Sequence, residues 1–139
     1  MTLSGSGSIN FTGEDQHSGT KNIQGASVSI NTSSQSDFNL TSGTIKGAGT
    51  IKDLITEGGF VQPGNSIGTL NLSGSYTETN ESTLEIEVAP DGSNDLLEIN
   101  GSANLSGKLK IIFENGSYSD NQTFNFLKAA GGINSSHSS

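Results

Sequence analysis

Apolar and small polar residues alternate along much of this chain, as in Ser27-Val28-Ser29-Ile30-Asn31, Gly49-Thr50-Ile51-Lys52 and Thr69-Leu70-Asn71-Leu72-Ser73. A period of two puts successive side chains on opposite faces of an extended strand, one inward and one outward. No stretch places apolar residues at i, i+3, i+4 and i+7, and Gly, Asn or Thr interrupts every segment before a long helix could form. The pattern predicts an all-β protein.

A longer period overlies the short one. Ile9, Ile30, Ile51 and Leu72 are equally spaced, with Gly7, Val28, Gly49 and Leu70 two positions earlier on the same step. Gly5, Ala26, Gly47 and Gly68 stand two positions before those. A repeat of about 21 residues holding two or three short strands is the signature of a β-solenoid, in which equivalent aliphatic residues stack from coil to coil. The competing fold is an antiparallel sandwich with strands about every 8–12 residues. Four steps in register favour the solenoid, with Ile9, Ile30, Ile51 and Leu72 forming one inward stack. The strict step ends after Leu72, because position 93 is Ser.

Composition narrows the picture. Leu, Ile, Val and Phe number 32 of 139 residues, just above the level of roughly 20 % below which disorder is the default. Nearly every apolar residue must therefore be buried, which one continuous narrow core would achieve. Gly, Ser, Thr and Asn make up half of the chain, which suits short strands joined by tight turns. Cysteine is absent, so a disulfide scaffold, thiolate metal sites and Cys nucleophiles are excluded. The net charge is −8, and all six cations are Lys. Residues 70–139 carry nine acids against three Lys, residues 1–69 five against three. Such a surface repels nucleic acid and anionic lipid. No window approaches the roughly 18 apolar residues of a spanning helix, so no membrane-spanning segment is expected. No targeting segment is visible either. The chain reads as an excerpt of something longer.

From Gly58 the chain runs Gly-Gly-Phe-Val-Gln-Pro-Gly-Asn-Ser-Ile-Gly-Thr-Leu-Asn-Leu-Ser-Gly. Pro63-Gly64-Asn65 is a turn, with Gly64 or Asn65 expected at positive φ. The stretch resembles the passenger-associated repeat of bacterial autotransporters, roughly G-x-[VI]-x-P-G-x-S-[IP]-G-T-L-x-[VI]-x-G. Gly59, Val61, Pro63, Gly64, Ser66, Ile67, Gly68, Thr69, Leu70 and Gly74 match, and Leu72 stands where Val or Ile is usual. Tyr76, the strand Thr83–Val88 and the run Asn94–Gly107 are similar to the segments that follow this repeat. Lys108–Phe113 and Gln122–Ile133 resemble the closing pertactin-like autochaperone segment. The resemblance covers about residues 43–133. It implies a right-handed parallel β-helix whose C-terminal part promotes folding as the passenger emerges. It also implies a C-terminal outer-membrane β-barrel as partner, no part of which is in this chain.

Catalytic candidates are few. His17 and His137 lie in Ser/Gly-rich surroundings, and no G-x-S-x-G elbow exists. Glycoside hydrolysis needs two carboxylates converging on one cleft; the candidates are Glu78, Glu81, Glu85, Glu87, Asp91 and Asp95. Glu85 and Glu87 alternate with Leu84, Ile86 and Val88, which makes them an outward, solvated strand face. Asp91-Gly92-Ser93-Asn94-Asp95 lacks the spacing of a calcium loop and reads as a turn before the strand Leu96–Ile99. Gly5-Ser6-Gly7 and Gly47-Ala48-Gly49 are tight corners, since no helix follows that could hold phosphate. Ten Asn residues fit N-x-[ST]: Asn10, Asn31, Asn39, Asn71, Asn80, Asn100, Asn104, Asn115, Asn121 and Asn134. They read either as polar strand faces that put Asn and Ser two apart or as glycosylated positions.

The sequence thus predicts an all-β, right-handed, single-stranded parallel β-helix of about 21 residues per coil with a C-terminal capping segment. Residues 1–82 form the stalk coils and 83–139 the capping, autochaperone-like part, expected to be the stable nucleus. The expected function is that of a structural passenger segment, secreted or surface-displayed, which supports folding during outer-membrane translocation. An adhesive or glycan-binding surface on the same β-helix, facing a host-surface or glycan ligand, is the alternative. No catalytic, cofactor or metal site is expected.

Overall fold

The computed structural model describes residues 2–5, 7–11, 19–64, 67–119 and 122–135. Among them there is no helix, and so none long and apolar enough to cross a membrane. The strands are β1 (Thr2–Ser4), β2 (Ser8–Phe11), β3 (Lys21–Ile30), β4 (Phe38–Gly47), β5 (Thr50–Ile51), β6 (Leu54–Thr56), β7 (Phe60–Pro63), β8 (Thr69–Leu72), β9 (Tyr76–Glu78), β10 (Thr83–Val88), β11 (Leu96–Ile99), β12 (Ala103–Leu105), β13 (Lys108–Phe113), β14 (Leu127–Ala129) and β15 (Ile133–Ser135). All their mutual pairings are parallel. The all-β prediction holds, and the sandwich is excluded because its strands would pair antiparallel.

Eleven strands form one large sheet curled into a half-barrel, and β5, β8, β11 and β14 form a second. The large sheet contains two ladders, joined because β3 and β4 each run through both. One follows Thr2, Asn22, Asn39, Ile55, Thr77, Asn104 and Asn134 as successive partners. The other follows Ser8, Ser27, Thr44, Phe60, Thr83 and Lys108. The third ladder, in the smaller sheet, follows Thr50, Asn71, Glu98 and Lys128. From β4 onward the chain visits the three ladders in a fixed cyclic order, so each strand as far as β12 is covered by its equivalent one circuit later.

The spacing departs from the uniform step expected. The sequence offset between ladder partners is 17 at Asn22–Asn39 and 16 at Asn39–Ile55. It rises to 27 at Thr77–Asn104 and 30 at Asn104–Asn134. Of the expected stack, only Ile51 and Leu72 are direct partners. Ile9 pairs with Val28, and Ile30 pairs with Phe11. Ile51 lies in a different sheet from Ile30. The cause is the strand alternation itself: any even offset along a strand returns an inward residue, so aliphatic columns recur at intervals that are not the true step.

Inward residues form one cluster, which includes Ile23, Val28, Leu40, Ile45, Ile51, Leu54, Val61, Leu70, Ile86 and Leu97, each fully buried. Glycines make the corners between the first two ladders. Gly25, Gly43 and Gly59 all have positive φ, and a side chain on Gly43 would strike the backbone of Gly25 and Ala26 in the strand beneath. Only glycine permits both the turn and the stacking there. Beyond Ala103 burial declines. Leu109, Ile112, Phe113 and Ile133 are exposed, as are Ile55 and Phe60 earlier. The expectation that nearly every apolar residue is inside therefore fails at β13, whose second edge has no strand above it among the described residues.

Candidate functional site

The autotransporter-like motif lands on a corner and the two strands it joins. In β7, Val61 and Pro63 point inward and are buried, with Pro63 in register with Gly47. Gly64 then turns with φ +91, as expected of that position. Its N–H donates to the carbonyl of Gly47 at 2.7 Å, and Gly47 N–H returns a bond to the Gly64 carbonyl at 3.2 Å. Gly59 sits on Gly43 with φ +76. Leu70 and Leu72 are buried in β8, while Ile67, Gly68 and Thr69 are half-buried. Gly74 lies against the Asp53 carboxylate, which any side chain at this position would displace. Ser66 and Asn65 lie outside the described residues, as do His17, His137 and Asn121. Every motif residue described thus makes a turn, fills the core or allows close stacking.

Two carboxylates complete this corner, and neither stood out as a partner of the motif. Asp95, only 3 % exposed, accepts the Gly68 N–H at 3.0 Å and the Glu87 N–H at 2.9 Å, tying two successive circuits together. Burial raises its pKa, opposed by those two amide bonds. Asp53 accepts the Ser75 N–H at 2.7 Å, across 22 residues of chain. Asp91 caps its own turn through Ser93 N–H at 2.9 Å, and Gly92 takes φ +97, so the segment before β11 is the expected turn.

The six acidic candidates separate. Glu85, Glu87 and Asp95 line one groove of about 210 Å³ together with Lys46 and Gln62. Gln62 Nε2 donates to Glu85 Oε2 at 3.2 Å. The Glu87 carboxyl is held above the usual range, first by burial and then by a hydrogen bond with Glu114. Glu78 lies elsewhere, inside the core and 5 % exposed. It accepts the Tyr76 hydroxyl at 2.8 Å and the Gly107 N–H at 3.0 Å. Burial and the adjacent Glu78 charge push the Tyr76 hydroxyl well above its ordinary value. Glu81 is exposed on a turn. Among the described residues no three His, Asp or Glu side chains gather into a possible metal site.

A larger cleft, about 590 Å³, runs along the third ladder past Thr50, Asn71, Ser73, Glu98, Asn100 and Lys128. A second of about 480 Å³ adjoins it, sharing Thr50 and Ser73 and adding Ser33, Gln35 and Lys52. The Asn residues divide by position. Asn31 donates to Asn10 at 2.8 Å, Asn39 to Asn22 at 3.1 Å and Asn134 to Asn104 at 3.1 Å. These amide ladders on outward columns follow the polar-strand-face reading. Asn80, Asn100 and Asn115 are exposed on turns.

No family model matches this chain, and no curated protein matches it.

Proposed function

We propose that the three ladders are faces of a right-handed, single-stranded parallel β-helix, and that the chain is a structural passenger segment of a bacterial autotransporter. Its place is the cell surface or the secreted passenger, its partner the C-terminal outer-membrane β-barrel, and its role non-catalytic. Residues 1–82 are the stalk, and 83–139 are the capping part that supports folding during translocation. The observation that carries this is the cyclic order of the parallel ladders, each circuit lying on the one before. Right-handed crossovers are the rule for parallel strands. In a stacked array each circuit gains stability only from its neighbours, so a chain delivered through a narrow pore folds circuit by circuit without energy input. The motif residues support the reading by their shared role in stacking.

The test joins this chain to an outer-membrane translocator barrel, with and without residues 83–139. Full-length passenger should reach the surface in a protease-resistant form, and the truncated one should be degraded or retained in the periplasm. Equal display of both contradicts the assigned folding role.

A second reading, a glycan-binding surface on the same β-helix, is favoured by the two adjoining clefts of the third ladder. Their hydroxyl, amide and Lys groups repeat from circuit to circuit, as an extended polyhydroxylated ligand would require. Glycan binding lost on Asn71→Leu with unchanged unfolding would support it.

A further inference from the structure

The chain contains two Asn-Gly steps, Asn100-Gly101 and Asn115-Gly116, each followed by Ser. Asn is a chemically labile residue. It is most labile before Gly, whose missing side chain lets the next amide nitrogen swing onto the Asn carboxamide. Asn100 follows β11 with its side chain exposed to solvent, yet its backbone is held from both sides. Toward the circuit below, Asn100 N–H donates to the Leu72 carbonyl at 2.9 Å and Gly101 N–H to the Gly74 carbonyl at 2.7 Å. From the circuit above, Ala130 N–H donates to the Ile99 carbonyl at 3.0 Å and Gly131 N–H to the Gly101 carbonyl at 2.8 Å.

We propose that Asn100 is a self-modification site gated by the fold. It converts to Asp and isoAsp in the open chain and is protected once its circuit closes; conversion to isoAsp then prevents closure. In the reaction the Gly101 nitrogen loses its proton and bonds to Asn100 Cγ. The Cγ–Nδ2 bond breaks, and the nitrogen leaves as ammonia, taking up a proton. The product is a five-membered imide whose nitrogen joins Cγ and the main-chain carbonyl carbon. Water opens it at Cγ to give Asp, or at the main-chain carbon to give isoAsp, whose backbone runs through Cβ and Cγ.

The closed circuit opposes the first step. The attacking nitrogen has its proton committed to the Gly74 carbonyl, and the bonds at Ile99, Asn100 and Gly101 prevent the rotation that would bring it to Cγ. The same packing excludes the isoAsp product. Its extra main-chain carbon falls between Ile99, buried and paired with Leu72, and Gly101, which sits on Gly74. The fit is close enough that even a Cβ on Gly101 would lie 2.7 Å from the Gly74 carbonyl oxygen. Lengthening the chain there pushes Gly101 off Gly74 and costs the bonds on both sides. Residue 100 therefore records how long a chain has stayed open, and a chain that waits too long loses the ability to close.

The test incubates the full chain at one mildly alkaline pH, folded in buffer and unfolded in urea. Mass spectrometry with fragmentation that separates Asp from isoAsp follows residue 100. Asn115 in the urea sample supplies the rate of an Asn-Gly-Ser step with no fold around it. Asn100 should convert roughly tenfold or more slowly in the folded chain than in urea, because the reaction waits for local opening. When urea-aged chains are diluted and treated with protease, isoAsp100 should be depleted from the resistant fraction. Asn100→Asp, which carries the charge without the longer backbone, should refold like the unaltered chain. Asn100→Gln should keep its refolding yield through the same ageing better than the unaltered chain. Equal conversion of Asn100 in buffer and urea overturns the proposal, as does isoAsp100 in undiminished proportion among refolded chains. Both of those readings come from the unaltered protein and stand whether or not the variants fold.

Discussion

The circuits of residues 21–64 and those of residues 69–135 solve the same stacking problem by different means. In the first region the offset between partners is 16 or 17, β3 and β4 run through two ladders each, and glycine corners sit directly on one another. Backbone meets backbone there, as at Gly43 over Gly25. In the second region the offset grows to 27 and then 30, and the corners lengthen into turns. Glycines still stack there, Gly101 on Gly74 and Gly131 on Gly101, but side chains add to the joining: Asp95 to Gly68 and Glu87, Ser106 to the Glu78 carbonyl, Tyr118 to the Val88 carbonyl at 3.0 Å. A tight circuit rests on a small residue at each corner, which tolerates nothing larger, with side-chain bonds such as Asp37 to the Asp53 N–H added at 3.2 Å. A long circuit needs a specific polar partner, which pH and substitution can perturb.

The largest effect should come from glycine in the tight region. In Gly43→Val the new side chain would lie within 2.8 Å of the Gly25 carbonyl carbon and closer still to Ala26, at φ +92. Backbone strain plus forced displacement should cost roughly 3–5 kcal/mol in denaturant unfolding. Gly92→Val in the long region meets only Gln122 at 3.8 Å, so it should cost only the conformational penalty at φ +97, about 1–2 kcal/mol. Equal losses at the two positions would break the comparison.

Next comes Asp95→Ala. It strands two amide donors in a buried site and should cost about 2–3 kcal/mol, with Gly68 and Glu87 amides among the first to gain exchange. A change below about 0.5 kcal/mol would mean that side-chain staples do not hold the long circuits.

The smallest effect concerns pH. Glu87 and Asp95 both have raised carboxyl pKa values, burial being the leading cause for each. A raised value means the folded state binds the proton more tightly than the unfolded one. Their contribution is therefore full below the ordinary carboxylate range and is lost as pH rises through the raised folded values. Stability should fall as pH climbs from about 4 toward neutral. Glu87→Gln should flatten that slope, by less than about 1 kcal/mol because the side chain is partly solvated. An unchanged pH slope in this variant would remove Glu87 and Glu114 from the account.

Much of this architecture could be read in the residues. Alternation in Ser27–Asn31 and Thr69–Ser73 announced strands, and Pro63-Gly64 announced the corner. The circuit length could not be read so directly. Ile9, Ile30, Ile51 and Leu72 recur at equal intervals, yet Ile9 meets Val28, because a period-two pattern hides its own register. The staples were hidden for another reason. Asp95 and Gly68 are 27 residues apart, and nothing local marks a carboxylate that will face an amide one circuit away. The burial of Glu78 beside Tyr76 was equally silent, since Tyr76-Thr77-Glu78 reads as an ordinary strand edge. The exposed apolar face of β13 looked like core because its composition matches core; only its position at the end of a ladder leaves it uncovered.

The register of the ladders is the central claim, and paired cysteines test it directly in a chain with no native cysteine. Asn39→Cys/Ile55→Cys joins direct ladder partners, whose backbones lie about 4.8 Å apart across neighbouring strands, within disulfide range. Asn39→Cys/Phe60→Cys joins residues that a uniform step, equal to the interval from Ile9 to Ile30, would set side by side. Mild oxidation should cross-link the 39–55 pair rapidly and leave 39–60 reduced. Efficient cross-linking of 39–60 with 39–55 left free would contradict the changing circuit length and the fold built on it.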